Sequence, residues 1–362
     1  MMKQVAALSV ALVAALIGSY VAWTDDGETL DAEEVPLYSA SVEDLEKVRW
    51  NTPTKDITVT KRTDEQGDYY WIESVERVVP TMPEDHPELE PEEPEAPEEP
   101  EEETPEETPV EEEPEEPAEP AEPPEPTEEK VGFVGSEQAG ELWADYAPLV
   151  ALRALPTDSD VDLETFGLAE PEGTLEVTRR GQTLTMDIGG ETYGSKDRYV
   201  RYDGRIYLVD DGDLRPLQFA TTRLVERGLY PYGSADIERI TVAFEGRQDT
   251  FVQQNRDDKA KAFWARQANP EDQDDTVETW VGKLTKLRLR AYVDEAEVGP
   301  VETQFSFQVD GAEGPWNVEV VRAPGDTGTY YARTKFNRSL VELTGSVAKN
   351  IIDDLPEVLP EE

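Results

Sequence analysis

The sequence predicts an α+β fold: two similar domains, each a mainly antiparallel sheet packed on one main helix, behind an N-terminal transmembrane helix. Three observations predict it. An uncharged apolar stretch opens the chain, short strand patterns between turn residues follow, and a block near 141–155 returns near 278–292. The two copies keep the same order of elements, as expected for an internal duplication.

The N-terminal segment is predicted to anchor the chain in a membrane. Residues 1–4 are expected in the cytoplasm, and Val5 to Trp23 is a run of 19 residues without a charge. At about 1.5 Å per residue, a helix of this length nearly spans the ~30 Å hydrocarbon layer. Positive charge before the run and negative charge after it predict a single-pass inner-membrane protein with its bulk in the periplasm or outside. A cleavable signal peptide is the alternative, with a poor cleavage site at Ala22.

The rest of the chain divides by composition and repetition. Residues 24–41 form a polar tether, 42–233 the first domain, 234–358 the second domain and 359–362 a tail. The first domain is interrupted at 80–130 by a proline- and glutamate-rich tract with 24 acidic residues. Such a tract buries too little apolar surface to offset its ordering entropy, so it is expected to be a disordered insertion.

The spacing between matched residues places the tract inside the first domain. Trp71 matches Trp264 at an offset of 193, whereas Trp143 matches Trp280 at an offset of 137. The first copy therefore carries 56 extra residues, close to the 51 of the tract. Further matched pairs are Val59 with Val252, Leu175 with Phe305, Arg201 with Arg333, and Leu208 with Leu340. The alternative is two unrelated α+β domains that share short chance matches.

Each copy is predicted to contain one amphipathic core helix. The two helices are expected at Glu141–Leu155 and Glu278–Tyr292. Apolar residues recur at steps of three and four in both blocks, so one side of each helix can be buried. The first apolar stripe contains Leu142, Tyr146, Leu149 and Leu152, and the second contains Trp280, Leu284, Leu287 and Tyr292.

Short runs of β-branched and aromatic residues between turn residues predict the strands. In the first copy these are 48–50, 57–60, 70–72, 174–178, 184–188, 199–202 and 206–209. In the second copy they are 237–244, 249–253, 262–265, 303–309, 317–321, 330–334 and 339–343. Asp203-Gly204 indicates a hairpin turn, Gly167 permits a positive φ, and Leu168 is expected to be buried. Helical segments are expected at 214–232 and 347–355.

Composition excludes several functional classes. The formal net charge is −49, and both the tract and the remainder are acidic, so nucleic acid is not expected as a partner. Cysteine is absent, which excludes disulfides and thiol chemistry. The single histidine, His86, lies in the tract, so no Ser–His–Asp arrangement is expected in the folded part. No catalytic, cofactor-binding or metal-binding residue is predicted, and no cofactor.

Several motifs around the first sheet resemble one known family. They include Phe166-Gly167-Leu168 with Pro171, the strand Tyr199-Val200-Arg201, and Leu229-Tyr230-Pro231-Tyr232 leading into Ile237-Glu238-Arg239-Ile240. Here the chain resembles the domain-of-unknown-function 4340 family of exported, membrane-attached proteins. The resemblance implies a gene often placed beside a gliding-motility-type ABC transporter, and it implies no catalytic or binding residues. The second copy departs by keeping only Gly299-Pro300 of the Gly-Leu-x-x-Pro turn.

Clusters of charged residues have simple structural interpretations. Asp210, Asp211 and Asp213 lack the alternating spacing of a calcium loop, so a charged turn is expected. A second acidic group, Asp272, Asp274 and Asp275, precedes the second helix and favours its N-terminus. Arg201 and Arg333 occupy equivalent strand positions, where cross-strand ion pairs are expected rather than contacts with an acidic ligand. Trp143 and Trp280 are expected in the core, and Asn337-Arg338-Ser339 formally matches a glycosylation acceptor.

Three functional hypotheses follow. The first is a non-enzymatic, membrane-anchored extracytoplasmic accessory or scaffold protein, associated with an ABC-type transport or envelope complex. The alternative is a periplasmic module that binds an envelope glycan or peptide in an inter-domain groove lined by Tyr230, Tyr232 or Tyr330. The third, a carboxylate-dependent hydrolase, requires a pocket holding two carboxylates with shifted pKa values.

Overall fold

A computed structural model describes residues 34–78, 127–156, 162–325 and 328–361. The expected anchor at 5–23 lies outside these residues, as does most of the acidic tract. Within the described ranges, no helix is both long enough and apolar enough to cross a membrane. The described chain is α+β and largely β, with antiparallel sheets and few helices.

Nine described strands form the first large sheet. Its spatial order is β5-β4-β3-β2-β8-β9-β10-β11-β7, and every neighbouring pair is antiparallel. The strands are β2 Leu45–Asn51, β3 Lys55–Asp64, β4 Gly67–Val78, β5 Thr127–Val134, β7 Arg153–Ala154, β8 Gly173–Arg179, β9 Gln182–Glu191, β10 Arg198–Tyr202 and β11 Arg205–Val209. A small separate sheet pairs β1 Val35–Pro36 with β6 Val150–Ala151.

Eight described strands form the second large sheet, in the order β14-β13-β12-β16-β17-β18-β19-β15. The strands are β12 Arg239–Phe244, β13 Arg247–Gln254, β14 Phe263–Arg266, β15 Leu289–Tyr292, β16 Glu302–Gly311, β17 Gly314–Arg322, β18 Tyr330–Thr334 and β19 Leu340–Leu343. Read from β14, this order repeats the first sheet from β4 onwards, strand for strand. Over the described ranges, only β5 of the first large sheet lacks a counterpart.

Helices cover one face of each sheet. They are α1 Glu137–Asp145, α2 Asp211–Gln218, α3 Ala220–Arg223, α4 Asp275–Leu284, α5 Glu295–Val298 and α6 Gly345–Val358. Trp143 in α1 and Trp280 in α4 are fully buried, as the sequence predicts. The indole nitrogen of Trp280 donates to the Ile351 carbonyl at 3.0 Å, which joins α4 to α6. Buried side chains of both sheets form one continuous apolar cluster.

Both predicted core helices end earlier than expected. Helix α1 stops at Asp145, and Leu152 is only half-buried in the connection between two short strands. Pro148 cannot donate the backbone hydrogen bond that a continuing helix requires. Helix α4 stops at Leu284, and the block ends in strand β15, which pairs with β19. Tyr292 is buried because its strand pairs with β19. The apolar spacing of three and four residues therefore predicted a helix where the structure has a strand.

Three of the proposed residue matches are wrong in register. Val59 lies opposite Val48, whose counterpart Ile240 lies opposite Phe251, so Val59 corresponds to Phe251 rather than Val252. Arg201 lies opposite Ile206, whereas Arg333 lies opposite Leu340, so Leu340 corresponds to Ile206 rather than Leu208. The β18–β19 connection is therefore two residues longer than the β10–β11 hairpin. Leu175 opposite Met186 corresponds likewise to Phe307 opposite Val318, rather than to Phe305.

The match between Trp71 and Trp264 is also wrong, because the two rings occupy opposite faces. Trp71 neighbours Ile72, which is fully buried beside Val59, and it points to the half-exposed side. Trp264 is buried opposite Gln253. A shift of one residue along a strand reverses the face of every side chain, so an identity between two tryptophans alone does not fix the register.

The boundary of the predicted tract needs correction at its C-terminal end. Residues 127–130 belong to β5, which pairs with β4 from Trp71 opposite Val134 to Val78 opposite Thr127. The two ends of the segment 79–126 are therefore neighbours in one sheet. Some of the extra residues of the first copy therefore form strand β5. Residues 79–126 lie outside the described part of the chain.

The turn before β8 has a counterpart before β16. The Asp162 carboxylate accepts a hydrogen bond from the Glu164 amide, and the Asp294 carboxylate accepts one from the Ala296 amide. Gly167 and Gly299 both have positive φ, at 64° and 75°. The turn before β16 therefore keeps the aspartate hydrogen bond and the positive φ at glycine, although its Gly-Leu-x-x-Pro sequence is absent. Leu168 is buried, as predicted.

Candidate partner-binding groove

The two large sheets meet in a filled seam. The rings of Phe133 and Tyr292 lie 6.1 Å apart, and the Tyr292 hydroxyl donates to the Glu226 carbonyl at 3.2 Å. The Leu289 amide donates to the Arg227 carbonyl at 3.1 Å. Burial raises the pKa of Tyr292 above its usual range, so the hydroxyl stays protonated and serves as a donor.

The connecting loop Lys335–Ser339 is the main bridge across this seam. Its Asn337 side chain is fully buried and donates to the Gly228 carbonyl at 2.9 Å and to the Tyr292 hydroxyl at 3.1 Å. The next residue, Arg338, donates to both carboxylate oxygens of Asp64, at 2.6 and 3.0 Å. Its guanidinium carbon lies 3.8 Å from the ring centroid of Tyr69. The β3–β4 hairpin of the first sheet is thereby fixed against the second sheet.

The same loop borders a groove of about 760 Å³ on the outer face of the second sheet. Side chains along β16 and β17 alternate between the two faces of the sheet. The buried residues face the helices, and the residues between them face the groove. The outward side chains are short hydroxyls and amides, which can both donate and accept hydrogen bonds. Those on the groove floor include Thr241, Ser306, Gln308 and Asn317.

Charged groups are concentrated at one end of the groove. Arg333 forms ion pairs with Glu295 of α5 and with Glu319 across the strand pair, the latter at 4.0 Å. Arg338 is held by Asp64, as described above. Lys335 also lines the groove, and no ion pair is found for it among the described residues. This end of the groove therefore offers one unneutralised cation to a bound molecule.

Ion pairs cross the corresponding face of the first sheet. Arg49 contacts Asp56 at 2.6 Å and Glu176 at 3.4 Å, and Arg77 lies 3.9 Å from Asp56. This face keeps two hollows, one of about 230 Å³ beside Arg49 and one of about 470 Å³ beside Thr174 and Asp187, and both are smaller than the groove. The two sheets thus share strand order but differ in the chemistry of their outer faces.

Comparison with known proteins gives one match. Residues 138–305 match the profile of a family described as "Domain of unknown function (DUF4340)". Residues 138–305 of the chain belong to the DUF4340 family. The resemblance found in the sequence is thereby confirmed, and the matched region runs from α1 of the first sheet into β16 of the second. No curated protein and no solved structure matches the chain.

In this DUF4340 chain, the two equivalent arginines form ion pairs across strands, as predicted. Arg201 contacts Asp187 at 2.8 Å, and Arg333 faces Glu319 at the same register. Arg333 differs in also contacting Glu295 and lining the groove. The sequence identified the equivalence but not this second role, because α5 was not predicted.

The acidic clusters act at helix N-termini. The Asp210 carboxylate caps α2 by accepting from the Gly212 amide at 2.6 Å. Asp274 caps α4 by accepting from the Thr276 and Val277 amides, both at 3.1 Å. Burial, together with the nearby charges of Asp145 and Asp210, raises the pKa of Asp213 to about 7. Within the described ranges, no group of acidic or histidine side chains has the arrangement of a metal site.

The three tyrosines expected to line an inter-domain groove are placed elsewhere. Tyr230 and Tyr330 are buried, and Tyr230 packs edge-on against Phe307 with the rings 6.3 Å apart. Tyr232 donates to the Gly314 carbonyl at 2.5 Å. Among the described residues these rings belong to the packed interior and its margin. The burial of Asn337 likewise removes its formal glycosylation sequence from the surface of the folded chain.

Sequence reasoning missed the groove residues themselves. The outward alternation of Ser306 and Gln308 between Phe305, Phe307 and Val309 was visible as a strand pattern. It does not reveal concavity, because the curvature of a sheet depends on all its strands. The one available signal of the groove was the length of the β18–β19 connection. A correct alignment of the two copies would have shown that it is longer than the β10–β11 connection.

Proposed function

We propose that this chain is a non-enzymatic, membrane-anchored extracytoplasmic accessory or scaffold protein, associated with an ABC-type transport or envelope complex. Its partner would dock in the groove on the second sheet. The observation that carries this proposal is the contrast between the two outer faces: ion pairs cross the first and leave two smaller hollows, whereas the second holds one groove of about 760 Å³ with a floor of hydroxyls and amides. A duplicated unit that keeps its topology but opens one face is well suited to binding.

The domain layout is part of this proposal. We infer that residues 42–233 and 234–358 are two copies of one unit, with the acidic tract inserted in the first. The shared strand order, the equivalent arginine positions and the matching aspartate-capped turns support this. The seam and its bridging loop join the copies into one platform, so a partner bound to the second sheet is held at a defined position relative to the first.

Photo-crosslinking at matched positions tests the docking site. Asn317 and Thr185 are both exposed and occupy equivalent positions, next to Glu319 and Asp187 respectively. A benzophenone amino acid at Asn317 of the full chain, in native membranes, is expected to form an adduct with a membrane or envelope protein. The same group at Thr185 is expected to form none. Absence of an adduct at Asn317, or the same adduct from both positions, would contradict the proposal.

The absence of cysteine allows a clean test of location. Thr185→Cys introduces a single thiol at an exposed position of the first sheet. In intact spheroplasts of the expressing bacterium, a membrane-impermeant maleimide is expected to label this variant fully. Labelling only after lysis would place the body in the cytoplasm and refute the extracytoplasmic assignment.

The alternative function is binding of an envelope glycan or peptide. The hydroxyl and amide floor of the groove favours this alternative, because such groups pair with sugar hydroxyls or peptide amides. The aromatic cleft that this alternative predicts between the domains is filled, which argues against that form of it. Mass spectrometry of the digested Asn317 adduct separates the two functions, because a protein partner contributes its own proteolytic fragments whereas a glycan or short peptide adds one fixed mass to the fragment that contains position 317. A carboxylate-dependent hydrolase is less favoured: Asp213, whose pKa is raised, does not line the groove.

A further inference from the structure

The second sheet lacks part of the strand that borders β13. In the first sheet, β3 pairs with β4 along ten positions. Its counterpart β13 pairs with β14 at only four positions, Phe251–Gln254, because β14 ends at Arg266 and the chain turns away. The first four residues of β13, Arg247–Thr250, therefore lack the neighbouring strand that their counterparts Lys55–Thr58 have.

The backbone of Gln248 points towards this missing neighbour. Along an antiparallel strand, successive residues direct their N–H and C=O groups to opposite sides. On the β14 side, the Thr250 carbonyl accepts from the Gln267 amide at 2.8 Å. On the β12 side, the Gln253 amide donates to the Glu238 carbonyl at 3.0 Å. Gln248 therefore directs both of its backbone groups to the β14 side, where no residue that the structure describes hydrogen-bonds to them. Gln248 is also exposed.

The first copy shows what occupies the same edge there. Counting back three residues from the matched pair Val59 and Phe251, the counterpart of Gln248 is Asp56, which lies opposite Val75 of β4. The Arg77 amide farther along β4 donates to the Thr54 carbonyl at 2.8 Å. This side of β3 is therefore bonded to an extended chain that runs antiparallel to it. The duplication identifies the missing neighbour of β13 as an extended polypeptide.

The usual devices that protect a sheet edge do not block this one. Natural edges carry unpaired charges, prolines or bulges. Here Arg247 contacts Glu245 at 2.8 Å and Asp249 contacts Arg266 at 2.5 Å, so both charges on the edge are neutralised within the chain. Strand β13 contains no proline and pairs with β12 in one continuous register. Gln248 also lines the groove, so a strand added here would widen the groove floor.

We propose that the docking partner adds one extended segment to β13 as an antiparallel strand. This inference rests on the proposed docking role and names the form of the partner's contact. The Gln248 amide donates to a backbone carbonyl of the segment, and the Gln248 carbonyl accepts from the amide of the same partner residue, as in a hydrogen-bonded antiparallel pair. Strand addition to an exposed sheet edge is a recurring mode of peptide recognition.

Hydrogen exchange with residue-level mass spectrometry on the full chain in nanodiscs tests this. In the free chain, the Gln248 amide is expected to exchange at least tenfold faster than the Asp56 amide, which is paired with β4. The probe is acetyl-Lys-Val-Thr-Val-Lys-Val-amide at millimolar concentration, which is expected to slow exchange at Gln248 at least fivefold. The control is the same peptide with N-methyl groups at alternate residues, which keeps the side chains and charge but removes the pairing edge.

Three outcomes would overturn the proposal. The first is no protection of the Gln248 amide by the peptide, and the second is equal protection by the N-methylated control. The third is protection in the free chain that increases with protein concentration, because it would assign the edge to a second copy of this chain.

Two proline variants carry the test to native membranes. Proline is tolerated in an edge strand where its nitrogen faces away from the sheet, so Gln248→Pro should fold while losing the donor. It is expected to lower the yield of the Asn317 adduct at least fivefold. Lys130 of β5 also directs its amide away from its sheet, and Lys130→Pro should change the yield less than twofold. Equal yields from the two variants would refute the assignment.

The peptide comparison uses the unmodified chain, so it decides the question even if Gln248→Pro does not fold. It also separates two kinds of failure. Absence of any Asn317 adduct in the otherwise native chain contradicts the docking role, whereas absence of peptide protection at Gln248 contradicts strand addition alone.

Discussion

Removal of the Arg338 side chain should lower the free energy of unfolding, because this side chain contacts two residues of the first sheet. The guanidinium holds both carboxylate oxygens of Asp64 and stacks on Tyr69. A bidentate pair at this partial exposure contributes about 1 kcal/mol, and the ring contact adds about 0.5–1 kcal/mol. Arg338→Ala is expected to lower the free energy of unfolding by about 1.5–2 kcal/mol, and Asp64→Ala by about 1 kcal/mol.

A double-mutant cycle isolates the ion pair from the ring contact. The coupling energy between positions 338 and 64 is expected to be about 1 kcal/mol. Arg338 also has a φ of 58°, a left-handed conformation that is strained for a side chain with a Cβ. Arg338→Gly should therefore be less destabilising than Arg338→Ala by about 1 kcal/mol.

The assay is urea denaturation of the full chain in mild detergent, followed by near-ultraviolet circular dichroism. The hydrogen bond from Arg338 lowers the pKa of Asp64 in the folded chain. The pair therefore stabilises above the unfolded pKa of aspartate and loses this effect as the pH falls through the lower folded pKa. A coupling energy of zero at neutral pH and low salt, or a coupling that persists in strong acid, would refute this account of the joint.

Three further changes test the interior and the helix caps by the same denaturation assay. Asp213→Asn should raise stability at pH 8 by about 2 kcal/mol. Burial raises the folded pKa of Asp213 to about 7. The free energy of unfolding of the wild-type chain should therefore fall as the pH rises from 4 to 7, and that of the variant should fall less. Parallel pH profiles would contradict this. Trp280→Phe should cost about 0.5–1.5 kcal/mol by removing the indole hydrogen bond to the Ile351 carbonyl, and Trp280→Ala should cost about 3–5 kcal/mol. A cost below 1 kcal/mol for the alanine variant would be inconsistent with a packed core there. Asp274→Ala should cost about 1–2 kcal/mol through loss of the α4 cap and the Arg266 contact, whereas the exposed Asp272→Ala control should be within about 0.5 kcal/mol of wild type.

The sequence was informative where a local rule operates within one element. Asp203-Gly204 predicted the hairpin between β10 and β11, and both residues have positive φ. Trp280 belongs to the apolar stripe of the second predicted helix and is buried; Trp143, also expected in the core, is buried as well. These features depend on neighbours a few residues away, so a single chain is enough to reveal them.

Features that depend on pairing between distant strands were less accessible. Tyr292 satisfies a helical apolar period but lies in β15, because pairing with β19 decides its conformation. The groove depends on the curvature of several strands and on a loop that reaches Asp64 from position 338. Neither the length of that loop nor its partner in the other sheet is encoded by a local pattern.

The pairing of β4 with β5 gives the first sheet an unusual tolerance of breaks in the chain. Val78 and Thr127 face each other at the end of eight paired positions, so the backbone departs from and rejoins the sheet at one place. A protease site engineered between them would produce two fragments whose strands are still hydrogen-bonded. Such fragments should migrate together under native conditions and separate only in denaturant, which would make this body a ready split protein.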